Sequence, residues 1–525
     1  MRISKLFLVL FLLISIASIL SAQSSLVLMA ISAHPDDEDG AALAYYAKIK
    51  GVKTYSVFFT RGEGGQNEVG SALGDDLGVL RTQETRAAAQ VLGSEVIFLG
   101  YPDFGFSKTA KETFAMWGDR DSVLARLVYV IRALKPDVII TNHDTITTKP
   151  NRQHGNHQAA GITAYEAFRK AANPSYHPEQ LNGVVTPWQV KKLYYRFFNR
   201  GGIKQDSLVS LDVNAKDASG KTIEQISMEA LSKHRSQGMD KITLDSIPSF
   251  FRKHSYYKVL ADSAYPYDQS DLFSGISPSD RQQLAASSIN MPLVVLKEPP
   301  PVDLKLITAT PPQNVFIGLI ATYDTTTEHT LKTFNIKYQL IDSTKLSSGD
   351  LSAYTTIVLD LRTYEYRNDV RLLNGKLLSY AHDGGNIVCF YHKSFDWNGK
   401  NYAPYPLTLT TERVTEETAP VQLLIPQHPL MTTPNRITEN DWGEWVQERS
   451  IYLPSDDTTK TSSQYARLLA MSDTDEKQPS TSLLYAQYGK GTYSYCALAL
   501  YRQLRNYNQG AVKLFFNLIS QKRGM

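Results

Sequence analysis

"SLVLMAISAHPDDEDG", residues 25–40, runs an apolar stretch straight into one histidine, one proline and four acids. The first half, residues 25–32, reads as a strand buried on both faces, because polar residues do not alternate with its apolar ones. The second half puts charge at that strand's tip. Such charge either caps the next helix through an acidic first turn or belongs to a site. Pro35 holds His34 in an extended conformation and so restricts where its imidazole points.

The pattern repeats outward from this stretch. "GAALAYYAKIKG" reads as a helix, "KTYSVFFT" as a strand, and a glycine-rich loop then leads to the helix "RTQETRAAAQVLG" and the strand "EVIFLG". A further helix, "DSVLARLVYVIRALK", precedes the strand "PDVIITNH". Continuous apolar strands separated by helices predict an α/β fold, a mostly parallel sheet with helices on both faces. Sites in such sheets lie at the carboxyl ends of the strands. His34, Arg61 and His143 each fall at or just after such an end.

Length divides the rest. A chain of 525 residues exceeds one ordinary core, so more than one domain is expected. Residues 1–23, with a basic start, a short apolar run and small residues near Ala22, have the layout of a signal peptide. The apolar run is short for a spanning helix, which needs about 20 residues. We therefore expect an exported chain, periplasmic or secreted, with no stable membrane anchor after cleavage. Residues 24–285 form the first domain on this reading. Residues 286–313 are proline-rich and lack helical periodicity, as a linker or extended strap would. Residues 314–525 form a second α/β block, from "NVFIGLIATY" to the amphipathic helix "GAVKLFFNLIS".

Composition excludes some classes. The net charge is +3, of which Arg2 and Lys5 supply two, and no basic run interleaved with aromatics suggests a nucleic-acid partner. Two cysteines, Cys389 and Cys496, are too few for a cysteine-ligated zinc site. Both sit in strand-like runs and fit either a disulfide or two buried thiols. Trp442 and Trp445 in "TENDWGEWVQER" suit a sugar platform or, more simply, packing.

The chemistry concentrates in two places. His34, Asp36 and Asp37 offer an imidazole and carboxylates, donors that suit a zinc-type divalent ion. His154 and His157 in "NRQHGNHQAAG" are three apart and share one face of a helical first turn. One of the two can bind metal while the other reaches substrate.

"AHPDDE", "TRGEGG", "RTQETRAAAQVLG" and "HGNH", in this order, resemble the LmbE/PIG-L family of zinc-dependent de-N-acetylases. "EALSKHRSQG" also resembles a family segment near the site, and the match spans roughly residues 25–285. The resemblance implies a Rossmann-like fold and removal of acetyl from an N-acetylglucosamine-type sugar, the amino-sugar or glycan partner expected here. It implies one zinc per chain on His34, Asp37 and His157, although these donors accept other divalent ions. It further implies Asp36 as general base toward an activated water, and His154 as oxyanion stabiliser or proton donor to the leaving amine.

Arg61, Glu63 and Asn67 in "TRGEGGQNE" are candidates for holding sugar hydroxyls, against the alternative of a glycine-stabilised turn. Arg81 is a candidate for reaching substrate, and Glu84 for pairing with it. His234, with Ser236 and Gln237, is placed near the site. His143 and Asp144 are either partners that orient a ligand or, as we favour, loop structure.

One departure stands out. Asn156 and Gly155 occupy positions where many family members carry aspartate and proline. An amide, unlike a carboxylate, does not raise the pKa of a neighbouring His154. Residues 314–522 resemble, more weakly, the flavodoxin-like class I glutamine amidotransferase fold. Cys389 reads as mid-strand there, so this domain is expected to be non-catalytic. Two alternatives to the deacetylase stand: a catalytically silent glycan-binding protein on the same fold, and an amidase acting on a larger amide.

Overall fold

The computed structural model describes residues 26–65, 67–70, 72–143, 153–196, 208–246, 254–262, 269–294 and 304–521. The expected signal peptide and Asp144 lie outside the described residues. The chain divides into two compact units, residues 1–66 with 72–296, and residues 67–71 with 297–525. Of the proline-rich stretch 286–313, Ala286, Ile289, Met291 and Val294 pack on the first unit's core, and Ile307 and Ala309 on the second's.

The first unit is built on seven strands: β1 (Val27–Ser32), β2 (Lys53–Phe58), β3 (Ser94–Phe98), β4 (Val138–Thr141), β5 (Lys192–Arg196), β6 (Val209–Asp212) and β7 (His254–Asp262). Their order across the sheet is β3-β2-β1-β4-β5-β7-β6. The first five are parallel, and β7 and β6 add an antiparallel edge. Alternation along β1 supplies two cores. Val27, Met29 and Ile31 face one, Leu28 and Ala30 the other, so every position of the strand is buried. This explains the unbroken apolar run in the sequence.

Helices cover both faces. On one lie α1 (Gly40–Ala44, continued as a π-wound turn Tyr45–Ile49) and α2 (Gly74–Leu92). On the other are α3 (Ala110–Trp117), α4 (Arg120–Leu134) and α5 (Gly155–Lys170), while α6 (Ile223–Leu231) joins α1 and α2. The mostly parallel, doubly covered sheet is thus the fold read from the sequence. Chain order reverses between β1 and β4, and this switch point is where such sheets place their ligands.

The second unit has its own sheet and two cores. Its strands are β8 (Ile317–Ile320), β9 (Tyr338–Leu340), β10 (Thr356–Leu359), β11 (Asn386–Phe390), β12 (Ala466–Arg467), β13 (Leu483–Tyr488) and β14 (Gly491–Cys496). They are ordered β12-β13-β14-β11-β10-β8-β9. The run "SLLYAQYGKGTYSYCALAL" is a hairpin, not one strand. Gly489, at φ +57°, makes the turn where the antiparallel pair β13–β14 closes. Four pairings in this sheet are parallel and the two made by β13 are antiparallel, so the second domain has a mixed sheet.

Cys389 and Cys496 are free and fully buried, with their thiols pushed up to about 12 by burial. His392 lies 3.8 Å from the Cys389 sulfur, but burial pushes its pKa down to about 3 and the backbone occupies both its nitrogens. This pair is a core contact and not a nucleophile with its base. Trp442 and Trp445 are buried against each other, 5.2 Å between ring centres, which leaves no sugar platform there.

Candidate metal and catalytic centre

The centre forms where β1 and β4 end side by side. The backbone N–H of Ala33 donates to Nε2 of His143 at 2.9 Å, tying the two strand tips together. His143 is almost fully buried, with Nε2 3.8 Å from Asp37 Oδ2. It is therefore part of the centre, and the loop role favoured from sequence is corrected.

After β1 the chain turns tightly. Asp37 N–H donates to the His34 carbonyl, and its carboxylate accepts from the His34 N–H at 2.9 Å. Asp36 is held at φ +87°, a left-handed backbone that a non-glycine residue adopts at a cost of about 1–3 kcal/mol. Strain of this kind survives where the surroundings dictate the conformation. Here the Asp36 N–H donates to Glu38, Gln237 donates to the Pro35 carbonyl, and Asp39 caps α1 by accepting from Ala42.

One carboxylate oxygen organises the ligands. Asp37 Oδ2 lies 3.1 Å from His34 Nδ1 and 3.2 Å from His157 Nε2. His154 stacks beside His157 with ring centres 3.8 Å apart, at the start of α5. Two overlapping donor groups result, His34–His154–His157 and Asp37–His143–His157. Among the described residues, Nδ1 of His143 and of His154 are buried without a hydrogen-bond partner. Nitrogen and carboxylate donors at this spacing, with orphaned nitrogens beside them, fit a zinc-type divalent ion.

The electrostatics agree with a centre designed around positive charge. Burial, and then repulsion from Asp37, raise the Asp36 carboxyl far above its usual range, with His234 and Arg81 opposing. Asp37 moves the other way. Burial opposes its ionisation, but His157, His34 and His143 together hold it well below the usual carboxylate range. Burial, reinforced by His157 and His34, pushes His154 well down. This shift favours the neutral form of the His154 ring.

The remaining candidates fall around Asp36. His234 is fully buried and bonds Glu38 at 2.8 Å, so it braces the turn from behind. Glu84 accepts from the N–H and hydroxyl of Ser236, which anchors the 229–238 segment to α2. Arg81 donates to the Gly62 carbonyl at 2.6 Å and is 4% exposed. A Cβ on Gly62 or Gly65 would lie 2.5 or 2.6 Å from its guanidinium. Arg81 therefore supports the glycine loop, while its charge also acts on Asp36. Arg61 is drawn to Asp75 on α2 at 2.5 Å. Burial and the nearby Asp103 push the Glu63 carboxyl up to about 7. Asn67 falls in the five-residue segment that clusters with the second unit, where its side chain accepts from Val69 N–H.

Four functional neighbours escaped the sequence reading: Glu38, Asp103, Ser107 and Thr113. Asp103 raises the pKa of His34 by its charge, second to the Asp37 contact, against a larger opposing effect of burial. Its position just past the tip of β3 is the signal that could have found it. A cavity of about 390 Å³ opens beside Asp36, Asp37 and His157, with Leu92, Met228 and Leu231 on its wall.

Fold and site together define an α/β domain with a histidine–carboxylate centre suited to a catalytic divalent ion. The family model for PIG-L, GlcNAc-PI de-N-acetylase, matches residues 29–168. A 1D-myo-inositol 2-acetamido-2-deoxy-alpha-D-glucopyranoside deacetylase of Geodermatophilus obscurus is 33% identical over 195 residues, covering 34% of this chain and 63% of the relative. A second, from Saccharopolyspora erythraea, is 34% identical over 193 residues, covering 34% and 67%. The chain thus spans about two thirds of the length of these relatives. Among solved structures, N,N'-diacetylchitobiose deacetylase from Pyrococcus horikoshii aligns at 18% identity and TM-score 0.34, covering 45% of this chain and 83% of that one. So low a score supports no argument. The amino-terminal domain belongs to the PIG-L/LmbE family.

Proposed function

We propose that the protein is an exported zinc-dependent hydrolase that removes the N-acetyl group from an N-acetylglucosamine-type sugar or a related N-acyl compound. The observation that carries this reading is one Asp37 carboxylate oxygen lying 3.1 Å from His34 Nδ1 and 3.2 Å from His157 Nε2, with His154 beside His157. Family membership and the sugar deacetylases among the relatives support it.

His34, Asp37 and His157 would hold the ion. When bound, it would acidify a water and draw electron density from the acyl oxygen. Asp36 takes the proton from the attacking water, its basicity raised by burial beside Asp37. The neutral His154 donates a hydrogen bond toward the developing oxyanion, and Asp36 returns its proton to the departing nitrogen. Glu38 and His234 hold the turn that aims Asp36. The apolar wall formed by Leu92, Met228 and Leu231 leaves room for acyl groups longer than acetyl, which favours the larger-amide reading as the second one.

The test is amine release from a panel of N-acetyl and longer N-acyl mono- and oligosaccharides. It would use metal-free protein, zinc-reconstituted protein and zinc-loaded Asp36→Ala. Zinc-dependent release, lost in the variant at unchanged metal content, is the expected result. Stoichiometric zinc with no release from any substrate would leave a glycan-binding protein.

A further inference from the structure

Asn156 stands where the family pattern places a carboxylate, and it is fully buried. Its Oδ1 accepts from the Thr113 hydroxyl at 2.9 Å and the Ser107 hydroxyl at 3.1 Å. The two hydroxyl oxygens lie 2.8 Å apart, so their two hydrogens serve two of these three contacts at a time. Its Nδ2 lies 3.1 Å from His34 Nε2 and 3.4 Å from the Gly105 carbonyl. The other nitrogen of that ring, Nδ1, is the one turned toward Asp37.

The preceding residue belongs to the same arrangement. Gly155 N–H donates to the Ser107 carbonyl at 2.7 Å, a bond that proline cannot make. A Cβ at Gly155 would sit 2.2 Å from the Thr109 carbonyl oxygen and 2.4 Å from the Ser107 hydroxyl. Gly155 and Asn156 thus both dock on residues 105–113.

We infer that Asn156, clasped by Ser107 and Thr113, is the positioning residue that fixes His34 and selects Nδ1 as its ligating nitrogen. The inference rests on the metal-binding reading above. A neutral imidazole has one N–H, so a ring that gives Nδ1 to a cation carries its proton on Nε2 and needs an acceptor there. A carboxylate can only accept. An amide presents either end, and hydroxyls both donate and accept, so Ser107 and Thr113 satisfy it in both orientations. Nδ2 is the end nearer His34 Nε2. Turned about, the amide would accept from Nε2–H through Oδ1 and donate through Nδ2 to the two hydroxyls. Ser107 and Thr113 thereby do for this amide what a charge does for the carboxylate.

Zinc affinity by chelator competition tests the idea, with melting measured in parallel. Asn156→Leu, similar in size but unable to accept, should bind zinc about 10–100-fold more weakly. Asn156→Asp should restore wild-type affinity or exceed it, and Thr113→Val should fall between. If Asn156→Leu does not fold, the other two variants and the imidazole ¹⁵N shifts of zinc-loaded wild type decide. Those shifts should show His34 protonated at Nε2. Unchanged affinity in Thr113→Val together with metal on Nε2, or equal affinity in folded Asn156→Leu, would overturn the inference. Wild-type protein that binds no divalent ion would instead overturn the metal-binding reading.

Discussion

Asp36 carries two unfavourable features at once: a left-handed backbone and a buried carboxyl pressed against Asp37. Both cost stability, and neither is needed for packing. A group whose folded pKa is raised holds its proton more tightly in the native state than in the unfolded one. The native state is therefore favoured at low pH, and stability falls as pH rises above the ordinary carboxylate range. Asp36→Asn removes this penalty. In the metal-free protein its melting temperature should equal or exceed that of wild type, with the gain growing from pH 5 to pH 8. Its amide hydrolysis with zinc present should fall about 10²–10⁴-fold. Thermal melts across pH, paired with amine-release rates, check both halves. A variant that melts lower at every pH would assign Asp36 to the scaffold.

At the scale of elements, the centre depends on how α5 is seated at both ends. Its start carries His154 and His157 and lies against residues 105–113 through Gly155. Its far end is held from α4 by Arg132, a fully buried guanidinium that donates to the carbonyls of Ala171, Asn173, Tyr176 and His177. Gly155→Ala would drive a methyl into the Thr109 carbonyl and lift the first turn of α5. The expected cost is about 1–3 kcal/mol in denaturant unfolding, with zinc affinity reduced as well. Arg132→Leu strands the buried Ala171 carbonyl and frees three less buried ones to water, and should cost about 1–3 kcal/mol. It acts at the far end of α5 from the histidines, so its effect on zinc affinity should be the smaller of the two. Equal losses of affinity would show that seating of the whole helix, and not its first turn, sets the site.

On the scale of the whole molecule, two separate sheets each bury a core on both faces, and both thiols belong to the second. Cys389 and Cys496 sit on neighbouring parallel strands, where Phe390, not Cys389, is the register partner of Cys496. A thiol reagent should find neither cysteine in the native protein, and both should react together as the second unit unfolds in denaturant. Labelling of one thiol well before the other would show that this sheet opens piecemeal.

The sequence by itself determined the parallel sheet, because a strand buried on both faces must be apolar throughout, and the runs in β1 and β4 say so. It also determined the donors His34, Asp36, Asp37, His154 and His157, because a tight turn after a strand and one helical turn bring residues one to three apart together. Only tertiary structure decided what those donors meet. The contacts of His143 with Ala33, of His234 with Glu38, and of Asn156 with Ser107 and Thr113 join residues 43 to 196 positions apart in pairs that no local period encodes. Tertiary structure likewise turned Arg81 into a support for the glycine loop and drew Asn67 to the second unit. The lowered pKa of His154 is the same kind of fact. A pKa answers to burial and to nearby charges in space, and the chain order of residues specifies neither until the sheet has closed.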